Sequence, residues 1–465
     1  MLPSSFSIFD ARIDAPTSPR FRPYSRHNFR QIPQMSLVSE ELKFAIEVVS
    51  AVLPFRVNQF VIDELIDWSA VPDDPMFRLT FPQSELLLPH HFEEVANGLR
   101  HGGERDQINQ TINRIRMELN PHPAGQVEHN VPWMDGQWLT GIQHKYRETV
   151  LFFPRQGQTC HAYCTFCFRW PQFVEADKLK FGMQEASLLV EYLTRHPHVT
   201  DILFTGGDPM VMRTRQLAEY IEPILKADLP NLRTIRIGTK ALTYWPHRFL
   251  DMSDSDDLLR LFERVKHHQK NLVLMAHFNH PVELTPPQTQ KAIRRILTTG
   301  AQIRTQSPLL AHINDSPQNW IDMWREQVHL GMVPYYMFLA RDTGAHHYFG
   351  VPIVKGWNIF REAYQQVSGI CRTVRGPSMS THPGKVHVLG VSEINQDKVF
   401  ILQFLQGRNP LWVRRPFLAQ YDETATWLDE LQPAFSDKFF FEDELKALTS
   451  RSQVIGAEQT CAVQP

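Results

Sequence analysis

From about residue 145 onward the sequence alternates short apolar runs with amphipathic segments, and it does so six times. The intervening segments repeat apolar residues at helical spacing, as Leu217, Ile221 and Ile224 do. This alternation predicts parallel strands covered by helices. Six units fall short of the eight of a closed TIM barrel, so we expect an α/β fold with a partial (βα)6 TIM-like barrel and functional residues at the C-terminal ends of its strands. The predicted strands are Thr149–Phe153, Val199–Thr205, Leu232–Ile237, Leu272–Phe278, Ala301–Ser307 and Val333–Leu339.

The sequence around the barrel predicts three further regions. Residues 1–35 are rich in Ser, Pro and Arg without periodicity, which is typical of a disordered tail. Residues 36–143 repeat apolar residues at near-helical spacing in short pieces and predict a helical N-terminal region, which ends in a turn-rich connector at Asn120–Gly125. We assign residues 144–345 to the barrel and 346–465 to a C-terminal region.

Composition excludes several classes of protein. The formal net charge of -2 gives no general attraction to nucleic acid or to anionic membranes. No apolar run approaches the length of a membrane-spanning helix, and the N-terminus lacks a signal-peptide core, so we expect a cytoplasmic protein. Of the five cysteines, Cys371 and Cys461 stand alone, and we interpret both as ordinary residues rather than as parts of a disulfide framework.

The other three cysteines follow the first predicted strand. Cys160, Cys164 and Cys167 have the spacing C-x3-C-x2-C. Three thiolates so close in sequence can hold one face of a cubane iron–sulfur cluster and leave the fourth iron open to another ligand. A structural zinc site is the alternative, although zinc prefers a fourth Cys or His at short range, and chance is the remaining one.

A glycine-rich turn, Gly206-Gly207-Asp208-Pro209, follows the second predicted strand. Glycines let the backbone approach a ligand without a side chain between them. Gly-Gly and Asp-Pro are also ordinary turn sequences, so taken alone the motif is compatible with a plain turn.

The cysteine loop, with Phe166 before its last cysteine, resembles the radical S-adenosylmethionine (radical SAM) superfamily. Over roughly residues 60–390 the chain further resembles the lysine 2,3-aminomutase family. The passages that carry this second resemblance are Asn120–Gly125, His144-Lys145-Tyr146, Leu203–Pro209, His277–Pro281 and Tyr335–Phe338 leading to Asp342.

The resemblance implies an isomerase that uses a [4Fe–4S] cluster, S-adenosylmethionine (SAM) and pyridoxal phosphate (PLP). Such an enzyme cleaves SAM to a 5′-deoxyadenosyl radical and moves the amino group of an amino acid, L-lysine or a related one, from the α- to the β-carbon. The cluster is expected on the three cysteines, and SAM is expected beside Phe166 and on Gly206, Gly207 and Asp208.

For PLP the resemblance implies a lysine on a loop after the sixth strand. Lys385, which ends the run Gly376–Lys385, is the candidate, with Lys355 and Lys398 as weaker ones. Lys145 and Tyr146 match positions that contact the PLP phosphate. Thr149 stands where the family has an arginine, so phosphate binding is expected to be redistributed.

For the substrate the resemblance implies that Arg169 binds the α-carboxylate and that Asp342 is one of two carboxylates around the lysine ammonium. Where the second carboxylate is expected, the chain has Arg375 and Gly376. Arg375 is therefore expected either to pair with Asp342 or to accept an acidic end of the substrate, and the identity of the amino acid stays open.

Two other functions remain open at this point. One is a PLP-independent radical SAM oxidoreductase or modifying enzyme, including one that acts on a protein lysine, and the other is a non-catalytic zinc-binding module. The expected partners are a small amino-acid substrate, an electron donor such as flavodoxin or ferredoxin, and a second copy of the chain in a homo-oligomer, with no nucleic acid and no membrane.

Overall fold

The computed structural model describes residues 20–102, 104–120, 130–174 and 181–449. Its strands are β1 Pro23–Ser25, β2 Arg56–Asn58, β3 Trp133–Met134, β4 Gln137–Trp138, β5 Ile142–Tyr146, β6 Thr149–Phe152, β7 Asp201–Phe204, β8 Thr234–Thr239, β9 Asn271–His277, β10 Gln302–Leu309, β11 Val333–Leu339, β12 Arg375–Ser380, β13 Gly384–Ile394, β14 Asp397–Gly407 and β15 Pro416–Gln420. Its α-helices are α1 Glu40–Val52, α2 Gln59–Glu64, α3 Pro75–Thr80, α4 Pro89–Arg100, α5 Arg105–Glu118, α6 Ala186–Arg195, α7 Thr214–Lys226, α8 Ala241–Tyr244, α9 Ser255–His267, α10 Pro287–Thr298, α11 Pro317–His329, α12 His346–Phe349 and α13 Ile353–Gln365. Within the described ranges, none of the helices has the length and apolar character that crossing a membrane requires.

Strands β6 to β11 are parallel neighbours in chain order, and a helix separates each from the next. Strands β8 and β10 alternate buried with less buried residues, because successive side chains point to opposite faces of a sheet. One face packs against the covering helices and the other faces the barrel interior. The six predicted βα units and the predicted α/β fold are confirmed, and strand bounds differ from the predicted ones by a few residues.

The sheet is wider than the sequence predicts. Strand β12 adds to β11 in parallel, β13 to β15 follow as an antiparallel meander, and β5 pairs antiparallel with β6 at the other edge. Within the described residues β5 and β15 are the two ends of this eleven-stranded sheet, so the barrel is partial, as expected. The prediction of a loop over 376–385 is wrong, because this run forms β12, a tight turn and the start of β13.

Residues 20–35 form part of the folded N-terminal region. Strand β1 pairs with β2, and Tyr24, Phe29, Ile32 and Met35 are buried. Burying four apolar side chains offsets the entropy lost on ordering this segment, so the prediction of a disordered tail is wrong for residues 20–35. Residues 1–19 and most of the predicted connector lie outside the described residues.

Two clusters of buried side chains divide the fold. The larger one lies between the sheet and its covering helices, and it also contains the C-terminal meander. The second joins the N-terminal helices to the loops at the C-terminal ends of the barrel strands, with Phe55 and Phe77 in the same cluster as Trp245 and Phe349. The N-terminal region therefore packs on the end of the barrel where functional residues are expected.

Candidate active site

A cavity of about 660 Å³ opens at the C-terminal ends of the barrel strands. It is of the size that holds small ligands and cofactors. The structure brings every site residue predicted from the sequence to its wall. These residues are Lys145, Tyr146, Cys160, Cys164, Phe166, Cys167, Arg169, Gly206, Gly207, Asp208, Asp342 and Lys385.

The cysteine loop is held in place by the N-terminal region. The Tyr163 amide donates to the carbonyl of Arg56 at 2.8 Å, and the Thr165 amide donates to the carbonyl of Leu79 at 3.0 Å. The buried side chain of Asn58 donates to the carbonyl of His161 at 3.2 Å. These bonds fix the backbone between the cysteines, a role of the N-terminal region that the sequence does not reveal.

The three thiols are unpaired and enclosed by protein. Burial raises the pKa of each, to about 12 for Cys167. Such thiols lose their protons when a metal binds them. The loop therefore offers three free thiols to a metal, the number that holds one face of an iron–sulfur cluster, whereas a structural zinc site takes four protein ligands.

The glycine turn packs directly against the start of the cysteine loop. A Cβ atom on Gly207 would lie 2.4 Å from both the amide nitrogen and the carbonyl oxygen of Thr159. The Asp208 amide donates to the same carbonyl at 2.7 Å. The Asp208 carboxylate accepts hydrogen bonds from the Thr239 hydroxyl and the Lys240 amide, so this predicted SAM residue also ties neighbouring strand ends together.

Replacing Gly207 with alanine should displace the cysteine loop. The new methyl group would clash with backbone atoms that cannot rotate away, and overpacking of this kind lowers the free energy of unfolding by about 3 kcal/mol. Urea unfolding and iron content after reconstitution measure the effect. Gly369→Ala is the matched control, since nothing lies within 4 Å of its Cβ position. Equal stability and iron content in both variants would contradict the prediction.

Lys385, the second residue of β13, lines the same cavity as the three cysteines. Its ammonium nitrogen is 4.0 Å from the centroid of the Tyr336 ring and 4.8 Å from that of Phe338. Burial lowers the pKa of Lys385 to about 7, and the charges of Arg236 and Arg375 add to the effect. A lysine with such a pKa is substantially neutral at physiological pH and can act as a nucleophile.

A second group of cations lies beside Lys385. The Lys145 ammonium donates to the carbonyl of Thr381, and Arg408 donates to the carbonyl of His382 at 2.9 Å and to the Asn130 side chain at 2.9 Å. Burial lowers the pKa of both Lys145 and Arg408. Neutral backbone carbonyls hold these two cations in place without cancelling their charge, so both can bind a phosphate. Lys145 was predicted from the sequence but Arg408 was not, because Arg408 lies 263 residues further along the chain and belongs to no motif.

Two further arginines line the cavity. Arg169 follows the last cysteine of the loop, and Arg341 follows β11. The Arg169 guanidinium carbon lies 4.5 Å from the Phe153 ring centroid and 5.0 Å from that of Phe168. The Arg341 guanidinium carbon lies 5.2 Å from the same Phe168 ring. The sequence resemblance predicts Asp342 as a substrate contact but does not point to its neighbour Arg341.

No protein-family model matches the chain. A protein of Aquifex aeolicus named "Putative L-lysine 2,3-aminomutase" is 31% identical over 395 residues, which are 84% of this chain and 91% of that protein. The chain belongs to the lysine 2,3-aminomutase family. The L-lysine 2,3-aminomutase of Acetoanaerobium sticklandii is 26% identical over 62% of this chain and 67% of that enzyme. A solved radical SAM methyltransferase from Sphaerobacter thermophilus aligns with a TM-score of 0.36 and 17% identity over 50% of this chain and 66% of that one, too slight a likeness to argue from.

As a lysine 2,3-aminomutase family member the chain is a radical SAM protein, which implies a [4Fe–4S] cluster and SAM. The residues present fit both groups. Three free thiols face the same cavity as Phe166 and the glycine turn. Their assignment to these ligands remains a prediction from the resemblance.

Three residues considered for this aminomutase-family site do not line the cavity. Lys355 pairs with Asp315 at 2.8 Å, and the Lys398 ammonium lies 4.7 Å from the Tyr421 ring centroid. The Arg375 guanidinium carbon lies 5.0 Å from the Tyr335 ring centroid. The Arg375 side chain is directed at the tyrosines, and among the described residues no ion pair joins it to Asp342.

Proposed function

We propose that the protein is a PLP-dependent radical SAM aminomutase that moves the amino group of a free amino acid from the α- to the β-carbon. One observation carries this proposal. A single cavity is lined by three thiols and by a lysine whose pKa is lowered to about 7. PLP needs such a nucleophilic lysine for its attachment, whereas a PLP-independent radical SAM enzyme does not require one.

The cysteine side of the cavity is assigned to radical generation. Cys160, Cys164 and Cys167 hold the cluster, while Phe166 and the Gly206-Gly207 backbone border the SAM site. When bound, the cluster and SAM would supply an organic radical able to remove a hydrogen atom from the substrate. The chain contributes a cysteine loop whose backbone is fixed by the N-terminal region.

The lysine side is assigned to PLP, which carries the migrating amino group and delocalises the unpaired electron when bound. Lys385 supplies a neutral amine that can attack the PLP carbonyl. Lys145 and Arg408 bind the phosphate, and their anchoring to carbonyls fixes its position relative to Lys385. Arg169 lies towards the cysteines and binds the substrate carboxylate as a planar two-pronged donor.

The rate of PLP attachment should depend on pH in a way set by Lys385. Since burial holds the pKa of Lys385 at about 7 rather than at the usual value near 10, its amine is already neutral above pH 7. The rate should be nearly constant above about pH 8 and fall about tenfold for each unit below about pH 6. Stopped-flow absorbance measures it, with Nα-acetyl-lysine in solution as the control for ionisation of PLP itself. A rate that climbs steadily to pH 10, as with the free lysine, would contradict the lowered pKa.

The proposed function is tested on protein purified without oxygen and reconstituted with iron, sulfide and PLP. The visible spectrum is recorded before and after borohydride, the reduced adduct is mapped by peptide mass spectrometry, and free amino acids are assayed for β-amino products with SAM and reduced flavodoxin. We expect one adduct on Lys385 and at least one β-amino acid. A cluster that forms without any PLP adduct would overturn the proposal and leave a radical SAM enzyme of another kind.

A further inference from the structure

The charge of the cavity wall is unbalanced at one place, around Arg341. This residue follows β11 by two positions and lines the cavity. Its Nε atom is buried and has no hydrogen-bond partner in the described part of the chain. Burial lowers the pKa of Arg341, which shows that the guanidinium is costly to keep charged there.

The other cations of the cavity differ from Arg341 because each has a protein acceptor or a role in the proposed function. Arg236 pairs with Asp201, and Lys240 pairs with Glu283. Lys145 and Arg408 are bound to backbone carbonyls at the phosphate site, and Arg169 is assigned to the substrate α-carboxylate. Arg341 is the cation that remains once these groups are accounted for among the residues that the structure describes.

Arg341 and Arg169 contact the same ring, that of Phe168, with their guanidinium carbons 5.2 and 5.0 Å from its centroid. Both guanidinium groups therefore lie against one ring in the wall of one cavity. Two like charges in a water-poor cavity repel each other unless a ligand brings anions to both. A substrate with one carboxylate would compensate one arginine, and a lysine side chain would add a further positive charge.

The carboxylate of Asp342 does not make this part of the cavity favourable for a cationic side chain. It is adjacent to Arg341 in the chain and acts to raise the pKa of that arginine, so part of its charge is already offset. A carboxylate beside a guanidinium is a poorer receptor for an ammonium group than an isolated carboxylate. The guanidinium, in contrast, keeps the planar donors that fit a second carboxylate.

We propose that the substrate is a dicarboxylic α-amino acid, whose α-carboxylate is bound by Arg169 and whose side-chain carboxylate is bound by Arg341. This inference rests on the proposed function and specifies its substrate. It transfers to Arg341 the recognition of an acidic substrate end that the sequence had suggested for Arg375. L-Aspartate and L-glutamate are the simplest members of the class.

Binding is measured first, without a reductant, so that no radical forms. PLP-loaded protein is titrated with L-glutamate, L-aspartate, L-glutamine and L-lysine, and the shift of the PLP absorption band gives each dissociation constant. We expect one of the two acids to bind at least about 30-fold more tightly than L-lysine and L-glutamine. Product assays with SAM and reductant should show the same order of preference.

Three variants test whether Arg341 causes the preference for a dicarboxylic amino acid. Arg341→Gln should weaken binding of the preferred acid at least about 30-fold with little change in PLP content, and Arg341→Asp should shift the preference towards L-lysine. Arg361→Gln is the matched control, an arginine over the Trp357 ring outside the cavity, and should keep the preference.

Several results would overturn the inference. Tighter binding of L-lysine than of both acids would do so, as would an Arg341→Gln variant that loses PLP but keeps the order of preference, because Arg341 would then serve the phosphate. These outcomes leave the proposed function intact. Failure of the unmodified protein to load PLP at all would instead overturn the proposed function and this inference with it.

Discussion

Replacing Lys385 with alanine is expected to remove covalently held PLP entirely, from about one per chain to none. Lys385 is the lysine of the cysteine-lined cavity whose pKa is lowered to about 7, while Lys145, the other enclosed lysine near it, donates to the Thr381 carbonyl. Amino-group migration should fall at least about 10²-fold, since PLP without its anchor is no longer held in position. Borohydride trapping, peptide mapping and a β-amino acid assay measure both effects.

Lys398→Ala is the matched control for this change. Lys398 is a lysine of the same sheet whose ammonium also lies over an aromatic ring, that of Tyr421, but outside the cavity. We expect the Lys398 variant to keep full PLP content. An adduct that persists in Lys385→Ala and maps to Lys398 or Lys145 would show that the anchor was wrongly assigned.

The barrel could be predicted from sequence because each of its elements carries a local signal. Val333–Leu339 is a short apolar run, and Lys226 and His267 close amphipathic helices of ordinary length. Parallel strands all end at the same edge of a barrel, so the sequence alone predicts that the cysteine loop and the glycine turn share one site.

Features that depend on contacts distant in sequence could not be predicted. Asn58 lies 103 residues before the His161 carbonyl that it binds, and nothing in its local sequence indicates that partner. The run that ends in Lys385 looked like a loop because Gly, Pro and Ser are frequent in it, yet pairing with β11 and β14 makes it sheet.

The choice between Arg341 and Asp342 shows a different limit. Both residues follow β11 and both line the cavity, but the resemblance pointed only to Asp342 as a substrate contact. What separates them is the environment of each side chain: the buried Nε of Arg341 has no partner in the part of the chain that the structure describes. Sequence patterns locate such a position, but the charges of the whole cavity are needed to assign its role.

Replacing Cys167 with serine is expected to prevent cluster assembly, so that iron falls from about four atoms per chain to nearly none after reconstitution. A neutral hydroxyl is a far weaker ligand for iron than a thiolate, and the remaining two thiols cannot occupy the three positions on one face of a cluster. SAM cleavage and amino-group migration should then be undetectable, whereas PLP should still attach to Lys385, because the two sites share the cavity but not their residues.

Cys371→Ser is the control that separates cluster loss from general damage. Cys371 is a buried free thiol far along the chain from the cysteine loop, and its Sγ lies 3.5 Å from the Ser368 hydroxyl. We expect this variant to keep its iron and its visible spectrum. Full iron content in Cys167→Ser would contradict the assignment of the three cysteines. Loss of PLP together with iron would instead mean that the cluster supports the cavity as a whole, so that the cysteine and lysine sides are not independent.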